Sequence, residues 1–265
     1  MADFYEPFLT SEAYRSFAST GYYSMLHPNS NLRIISMNCL LCDTFNLYLY
    51  ENPTDPSNQI SWLVNTLKKA EKNNEVVFII GHIPPANQFY LSECAKRYNA
   101  IADRFSHVIR GHFYGHTHYD EFQMVREYFN KEKTTAAIFV APSLTTFPNY
   151  HPSFRVFDID SDTKLLKDYS QYRMNLTEAN SHPDKTPEWK VAYKATDAFN
   201  VTDLQDYEGF NNWIAKIKTD PKVLKDSVTW YLNQGPGVEK TLKSSCKYNI
   251  SLLFINNRCS IIYDM

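Results

Sequence analysis

The sequence has little net charge and no long apolar run. Its 265 residues carry 27 Lys and Arg against 29 Asp and Glu, a net charge of -2. Such a chain lacks the basic field that binds nucleic acid non-specifically. No apolar segment approaches the roughly 20 residues of a membrane-spanning helix. The first residues, MADFYE, lack the charged and then apolar pattern of a signal peptide. Taken alone, these absences predict a cytosolic protein that does not bind nucleic acid.

Cysteine is sparse, and its spacing argues against one kind of zinc site. The chain has five cysteines, Cys39, Cys42, Cys94, Cys246 and Cys259. The first two have CxxC spacing, but no second CxxC follows, so a four-cysteine zinc site is not expected. Two disulfides and one free thiol would suit an oxidising compartment. The compartment stays open on composition alone.

Glycine is also scarce, with 7 residues, and three glycines are followed at once by histidine. Two of these pairs lie in GHIPP (81–85) and GHTH (115–118). GHIPP follows the apolar run VVFII (76–80), which is typical of a buried strand. GHTH follows a shorter apolar stretch around Val108 and Ile109. Because α/β folds place their chemistry on loops at strand ends, both loops are predicted to be functional.

His82, His116 and His118 are the candidate metal ligands. Neutral imidazole binds borderline metals such as zinc, and ligands two residues apart on an extended segment point to the same side. The alternative is that all three are ordinary polar loop residues, which is the commoner case for an isolated His-x-His. The two Gly-His pairs at strand ends favour the metal site.

Hydrophobic periodicity predicts an α/β order for the first part of the chain. Strands are predicted at 32–41, 47–50, 76–80, 136–140 and 154–159, and helices at 11–17, 60–70 and 91–105. Residues 176–265 are predicted to form a small helical subdomain, with helices at 188–199, 203–218 and 221–232.

Several motifs together resemble the acid sphingomyelinase family of calcineurin-like metallophosphoesterases. They are NPTDPSNQISWL (52–63), IIGHIPP (79–85), YGHTHYDEF (114–122), APS (141–143) and NLTEAN (175–180), in the family's order and at similar spacing. GHTH alone is shared by many phosphoesterases, whereas its combination with GHIPP and the DEF tail is much more specific. The likeness runs from about residue 3 to the C-terminus.

The resemblance implies an α/β fold and a two-zinc site. Residues 1–175 would form the C-terminal part of a four-layer α/β/β/α sandwich, and 176–265 the family's C-terminal helical subdomain. Two zinc ions would be bridged by an aspartate and a water or hydroxide. His82 and His116 match ligands of one zinc, and His118 matches a ligand of the other. Such a pair activates the water and neutralises phosphate charge.

Asp120 and Glu121 fall in the family's DEF segment. There the resemblance implies that they support the ligands through hydrogen bonds or structure rather than by touching metal. The alternative is a solvated acidic pair on the surface.

The sequence departs from the family in what its N-terminal half would supply. That half carries an Asp-x-His, a Gly-Asp with the bridging carboxylate, and a Gly-Asn-His with a further ligand and the proton donor. None of these motifs occurs in the 265 residues, so no catalytic residue is identifiable. We therefore expect the C-terminal half of an acid-sphingomyelinase-like protein, without its saposin-like domain and signal peptide, and inactive alone.

Three functional hypotheses follow from the resemblance. The first is a zinc phosphodiesterase that splits sphingomyelin into ceramide and phosphocholine at a membrane surface, near relatives instead cleaving nucleotide-type phosphoesters. The second is a non-catalytic truncated product that binds metal, lipid or a partner chain. The third is a site completed by a separate chain carrying the N-terminal half.

By resemblance the parent protein is lysosomal or secreted, which favours disulfides and glycans. The expected pairs are Cys42 with Cys94 and Cys246 with Cys259, with Cys39 left over. Three glycosylation sequons begin at Asn175, Asn200 and Asn249. About three are expected by chance in a chain so rich in Asn, Ser and Thr, so their number alone decides nothing.

Overall fold

A computed structural model describes residues 2–147, 150–235 and 238. Over these residues the fold is mixed α/β, as predicted. The strands are β1 (Tyr23–Leu26), β2 (Leu32–Ser36), β3 (Val76–Ile80), β4 (Ile109–Tyr114), β5 (Glu121–Arg126), β6 (Thr134–Val140), β7 (Ser153–Ile159), β8 (Leu166–Met174) and β9 (Trp189–Lys194). The helices are α1 (Ala2–Tyr5), α2 (Ser11–Thr20), α3 (Gln59–Lys72), α4 (Ser92–Arg104), α5 (Leu176–Ser181), α6 (Ala195–Phe199), α7 (Tyr207–Lys216) and α8 (Pro221–Tyr231).

The strands form a six-stranded sheet, in the order β1-β2-β3-β4-β6-β5, and a three-stranded sheet, β7-β8-β9. Strands β2, β3 and β4 are parallel, and Ile80 of β3 pairs with Phe113 of β4. Adjacent parallel strands end at the same sheet edge. The pairs Gly81-His82 and Gly115-His116 therefore directly follow the carboxyl ends of neighbouring strands, which confirms that both loops begin at strand ends.

The chain divides into two compact units. Among the described residues, the first unit comprises 2–114 and 125–138, and the second comprises 115–124 and the residues from 139 onward. The apolar face of α3 is buried in the first unit, where Leu63, Leu67 and Ala70 are all 0% exposed. Phe210 and Leu204 are equally buried in the second unit. Residues on both sides of position 175 belong to this second unit.

Two strand predictions are corrected before the His82 loop. The strand predicted over 32–41 ends at Ser36, and Cys39–Cys42 form a 3₁₀ turn. Asn38 begins that turn, because its side-chain oxygen accepts the Leu40 N–H at 3.2 Å. Residues Leu47–Tyr50, predicted as a strand, form another 3₁₀ turn that Asn46 caps in the same way. Asparagine side chains compete with ladder hydrogen bonds, which the apolar pattern alone did not reveal.

The helix predicted over 188–199 is wrong in its first half. Trp189–Lys194 form β9, which pairs antiparallel with β8, and only Ala195–Phe199 are helical. Aromatic and β-branched residues here alternate with Lys190, Ala192 and Lys194, a pattern that also suits a half-buried strand. The segment after residue 175 is therefore not purely helical. The four-layer arrangement stays a prediction.

The expected disulfide between Cys42 and Cys94 is confirmed, with a Cα–Cα distance of 6.0 Å. Cys39 is a buried free thiol. Cys246, Cys259 and Asn249 lie outside the described residues. Across the described part of the chain, no helix is both long and apolar enough to span a membrane.

Candidate functional site

The His82 loop leaves β3 along a tightly packed path in the first unit. The Gly81 N–H donates to the Phe113 carbonyl oxygen at 3.0 Å, which extends the β3–β4 pairing by one residue. A Cβ at Gly81 would lie 2.5 Å from a Tyr114 ring carbon and 3.0 Å from Cys39 Sγ. Only glycine fits such a close approach. The loop therefore holds the exposed His82 side chain on a fixed backbone.

Cys39 contributes to this backbone as a hydrogen-bond acceptor. The His82 N–H donates to Cys39 Sγ at 3.2 Å. Burial raises the pKa of the Cys39 thiol, although the His82 and Ile83 backbone N–H groups act in the opposite direction. Burial therefore favours the neutral thiol, and the sulfur serves here as an acceptor for the loop backbone.

The GHTH loop of the second unit holds two histidines in the left-handed backbone region, with φ 74° at His116 and 63° at His118. The Thr117 N–H donates to the Gly115 carbonyl oxygen at 2.9 Å, which tightens the turn. The predicted extended conformation of this segment is therefore wrong. Non-glycine residues in such conformations cost about 1–3 kcal/mol each and cluster at functional sites.

His118 has the hydrogen bond of a metal-ligating imidazole. Its Nδ1 lies 2.7 Å from the Phe147 carbonyl oxygen. Because a carbonyl oxygen only accepts, Nδ1 carries the proton of this hydrogen bond, and in the neutral imidazole this leaves the Nε2 lone pair as the possible metal donor. Metal-bound histidines commonly donate their other N–H to a backbone carbonyl in this way. The Phe147 ring stands edge-on to the imidazole, with ring centroids 6.3 Å apart. His118 thus fits a zinc ligand chemically.

Asp120 and Glu121 are both buried, each 8% exposed, so neither is a solvated acid. Asp120 Oδ1 accepts from Arg155 Nη2 at 2.5 Å, and the Tyr193 hydroxyl donates to Oδ2 at 2.5 Å. Burial raises the pKa of the Asp120 carboxyl, while Arg155 and Tyr193 act in the opposite direction. Its carboxylate is committed to protein groups. Glu121 is the first residue of β5.

The predicted ligands fall on two loops. His116 and His118 share the GHTH loop, and His82 follows β3. Within either unit, the described residues contain no group of three or more His, Cys, Asp and Glu side chains that could hold a metal ion. The zinc site stays a prediction, carried by the chemistry of the individual histidines.

Sequence reasoning missed Arg155 and Cys39 as contributors to these loops. Arg155 interrupts the apolar pattern of β7, and a charge inside a predicted strand is a signal to look for an acidic partner. The Cys39 contact has no comparable signal, because the thiol acts on a backbone N–H 43 residues away.

Comparisons with known proteins agree with the motifs. The model of the acid sphingomyelin phosphodiesterase C-terminal region matches residues 129–217. The sphingomyelin phosphodiesterase of Bos taurus is 38% identical over 236 residues, which cover 88% of this chain and 37% of that protein. The human sphingomyelin phosphodiesterase is 34% identical over a match that covers 88% of this chain and 36% of that protein. The human cyclic GMP-AMP phosphodiesterase is 36% identical over 220 residues, which cover 77% of this chain and 47% of that protein.

An α/β sheet with histidine loops at its strand ends, together with these similarities, defines the chain as a relative of phosphodiesterases. Over most of its length it is similar to the C-terminal part of acid sphingomyelinase family members. The chain spans 36–37% of the length of the bovine and human sphingomyelin phosphodiesterases.

Proposed function

We propose that this chain carries zinc-binding histidines of an acid-sphingomyelinase-type phosphodiesterase. The observation that supports this most is the His118 geometry, in which Nδ1 donates to the Phe147 carbonyl oxygen. The left-handed backbone of His116 and His118 adds support, because such conformations raise the free energy of the folded state and cluster at functional sites. The complete protein would have the four-layer sandwich of the family.

In this proposal His82 and His116 hold one zinc and His118 holds the other. A zinc pair supplies an activated water and neutralises charge on the phosphate. The chain's own residues fix the imidazoles: Phe147 keeps the proton on His118 Nδ1, and Cys39 holds the His82 backbone. The bridging carboxylate and proton donor belong to motifs absent from these 265 residues. We therefore expect the chain alone to be inactive.

The proposed substrate is sphingomyelin or a related phosphodiester lipid, met at a membrane surface and split into ceramide and phosphocholine. The identity to bovine and human sphingomyelin phosphodiesterases supports it. A nucleotide-type phosphodiester is the second candidate. It is supported by the 36% identity to a cyclic GMP-AMP phosphodiesterase. The chain covers 47% of that protein, against 36–37% of the bovine and human sphingomyelin phosphodiesterases.

The proposed compartment is the lysosome or the extracellular space. The Cys42–Cys94 disulfide supports it, because disulfides persist mainly in oxidising compartments. We propose glycans at the sequons of Asn175, Asn200 and Asn249. Asn200 is exposed, and Asn175 is half-buried with its side-chain oxygen capping α5.

The experiment measures hydrolysis of sphingomyelin in detergent micelles and of cyclic GMP-AMP, both with added zinc. The chain is assayed alone and mixed with the separately produced N-terminal part of the bovine relative. We expect negligible turnover alone and zinc-dependent sphingomyelin hydrolysis by the mixture. His116→Ala should abolish it, whereas His107→Ala, at an exposed histidine paired with Glu71, should not.

Each other result has a defined meaning. Preference for cyclic GMP-AMP would move the substrate to the nucleotide class. Turnover by the chain alone would contradict the need for further ligands. A stable complex that hydrolyses neither substrate would favour a non-catalytic product that binds metal, lipid or a partner chain.

A further inference from the structure

A buried charge pair lies immediately beyond the GHTH loop. The side chains of Asp120 and Arg155 are 4% and 1% exposed, and Arg155 Nη2 is 2.5 Å from Asp120 Oδ1. The Tyr193 hydroxyl donates a hydrogen bond to the other carboxylate oxygen, Asp120 Oδ2. Both oxygens of Asp120, two residues after His118, are therefore engaged inside the second unit.

Arg155 is itself fixed by the three-stranded sheet. Its Nε donates to Gln171 Oε1 at 2.9 Å, and its Cζ lies 3.9 Å from the centroid of the Tyr169 ring. The network thus draws Arg155 from β7, Tyr169 and Gln171 from β8, and Tyr193 from β9. A guanidinium suits this place because its planar fork pairs with carboxylate and stacks on an aromatic face at once.

The chain between His118 and Asp120 is held at each residue. His118 Nδ1 donates to the Phe147 carbonyl oxygen, and the Tyr119 ring is stacked on Tyr231, with centroids 4.2 Å apart. The Asp120 N–H donates to the Tyr231 carbonyl oxygen at 3.2 Å. Strained φ values such as those at His116 and His118 persist only where surrounding contacts over-determine them.

We infer that Arg155 is a positioning residue, which acts through Asp120 to keep the GHTH loop in the conformation that presents His116 and His118 to zinc. The inference rests on the proposed function. Releasing Asp120 lets the two histidines relax to ordinary φ values, and the relaxation misaligns both imidazoles. Arg155 does not touch the metal in this account.

Three variants of the full chain separate the role of Arg155 from general stability. Asp120→Asn/Arg155→Met removes both charges together, so that no unpaired charge is left buried. Arg155→Lys keeps the charge without the planar fork, and Tyr193→Phe removes only the hydroxyl. The control is Asp206→Ala in the same unit, which removes the cap of α7 at the Gly209 N–H and so lowers stability away from the GHTH loop.

The first readout is the zinc dissociation constant, measured by competition with a chromophoric chelator. We expect about 10- to 100-fold weaker zinc binding in the double variant and Arg155→Lys, as for other groups that support metal ligands. Tyr193→Phe should weaken binding less, and Asp206→Ala should leave it unchanged.

The second readout needs no metal: the His118 tautomer in ¹⁵N spectra of the imidazoles, assigned with His118→Gln. The wild type should hold the proton on Nδ1, and the Arg155 variants should populate both tautomers. Unchanged zinc affinity and tautomer in those variants would overturn the inference, as would equal changes in Asp206→Ala. If the wild type binds no zinc yet the variants alter the tautomer, the proposed function fails and the positioning role stands.

Discussion

Gly81 and Gly115 each precede a predicted zinc ligand, yet their surroundings differ. A side chain at Gly81 would meet Tyr114 and Cys39 within 3.0 Å, whereas at Gly115 it would meet nothing within 4 Å. The φ angle of neither glycine lies in the left-handed region, which among the described glycines is found at Gly21. Gly81 is therefore required because a side chain would not fit there, whereas a side chain at Gly115 would meet no steric obstacle.

Gly81→Ala is expected to lower the free energy of unfolding by about 1–3 kcal/mol, because the new methyl group overpacks the Tyr114 and Cys39 contacts. Gly115→Ala is the matched control and should cause no loss. Urea unfolding followed by circular dichroism measures both. Equal effects in the two variants would refute the packing account of Gly81.

His112 is a buried histidine of β4 outside the predicted ligand set. It is 1% exposed, and the Tyr98 hydroxyl lies 2.8 Å from its Nδ1. Burial lowers the pKa of His112 to about 3. In the unfolded chain the pKa of a histidine is about 6.5. Between about pH 3 and pH 6.5, His112 is therefore neutral in the folded protein and protonated in the unfolded chain. Because unfolding takes up this proton, the free energy of unfolding falls as the pH drops below about 6.5.

Lowering the pH from about 7.5 to about 5 should cost about 2 kcal/mol of unfolding free energy through His112 alone. His112→Asn keeps a polar atom for Tyr98 but does not titrate, so its pH dependence should be flatter by that amount. Urea titrations at the two pH values provide the measurement. Identical pH slopes in the two proteins would rule out this role.

At the scale of elements, the Cys42–Cys94 disulfide joins the 3₁₀ turn Cys39–Cys42 to α4, across 52 residues. The closed loop includes α3, β3 and the His82 loop. A crosslink over such a loop restricts the unfolded chain, so it stabilises the first unit without touching the histidine.

Cys42→Ala/Cys94→Ala is expected to lower the free energy of unfolding by about 4 kcal/mol, the loop-entropy value for this separation. Chemical denaturation without reductant measures it, and peptide mapping of the unreduced wild type should recover a Cys42–Cys94 crosslinked peptide. A wild type with both thiols free, or a double variant of equal stability, would contradict the account.

The elements that could be predicted from sequence are those whose spacing of apolar residues shows which side chains are buried. The amphipathic period of α3 and the continuous apolar run of β3 are confirmed close to their predicted bounds. Helices α2, α4, α7 and α8 and strands β6 and β7 also match. The failures at Cys39–Cys42, Leu47–Tyr50 and Trp189–Lys194 depend on asparagine caps and on pairing with β8. Local hydrophobicity does not encode these contacts.

At the scale of the whole molecule, the histidine loops could be predicted because motif and strand end lie side by side in sequence. The Asp120 network could not, since it joins residues separated by up to 73 positions. The predicted boundary at 175 stays a prediction.

The central claim is that these histidines bind zinc, and metal content tests it most directly. Elemental analysis of the purified chain, with His82→Ala, His116→Ala and the control His107→Ala, should find about one zinc or more per chain in the wild type and control. The two ligand variants should lose zinc. No zinc in the wild type, or equal zinc in all four proteins, would contradict the claim.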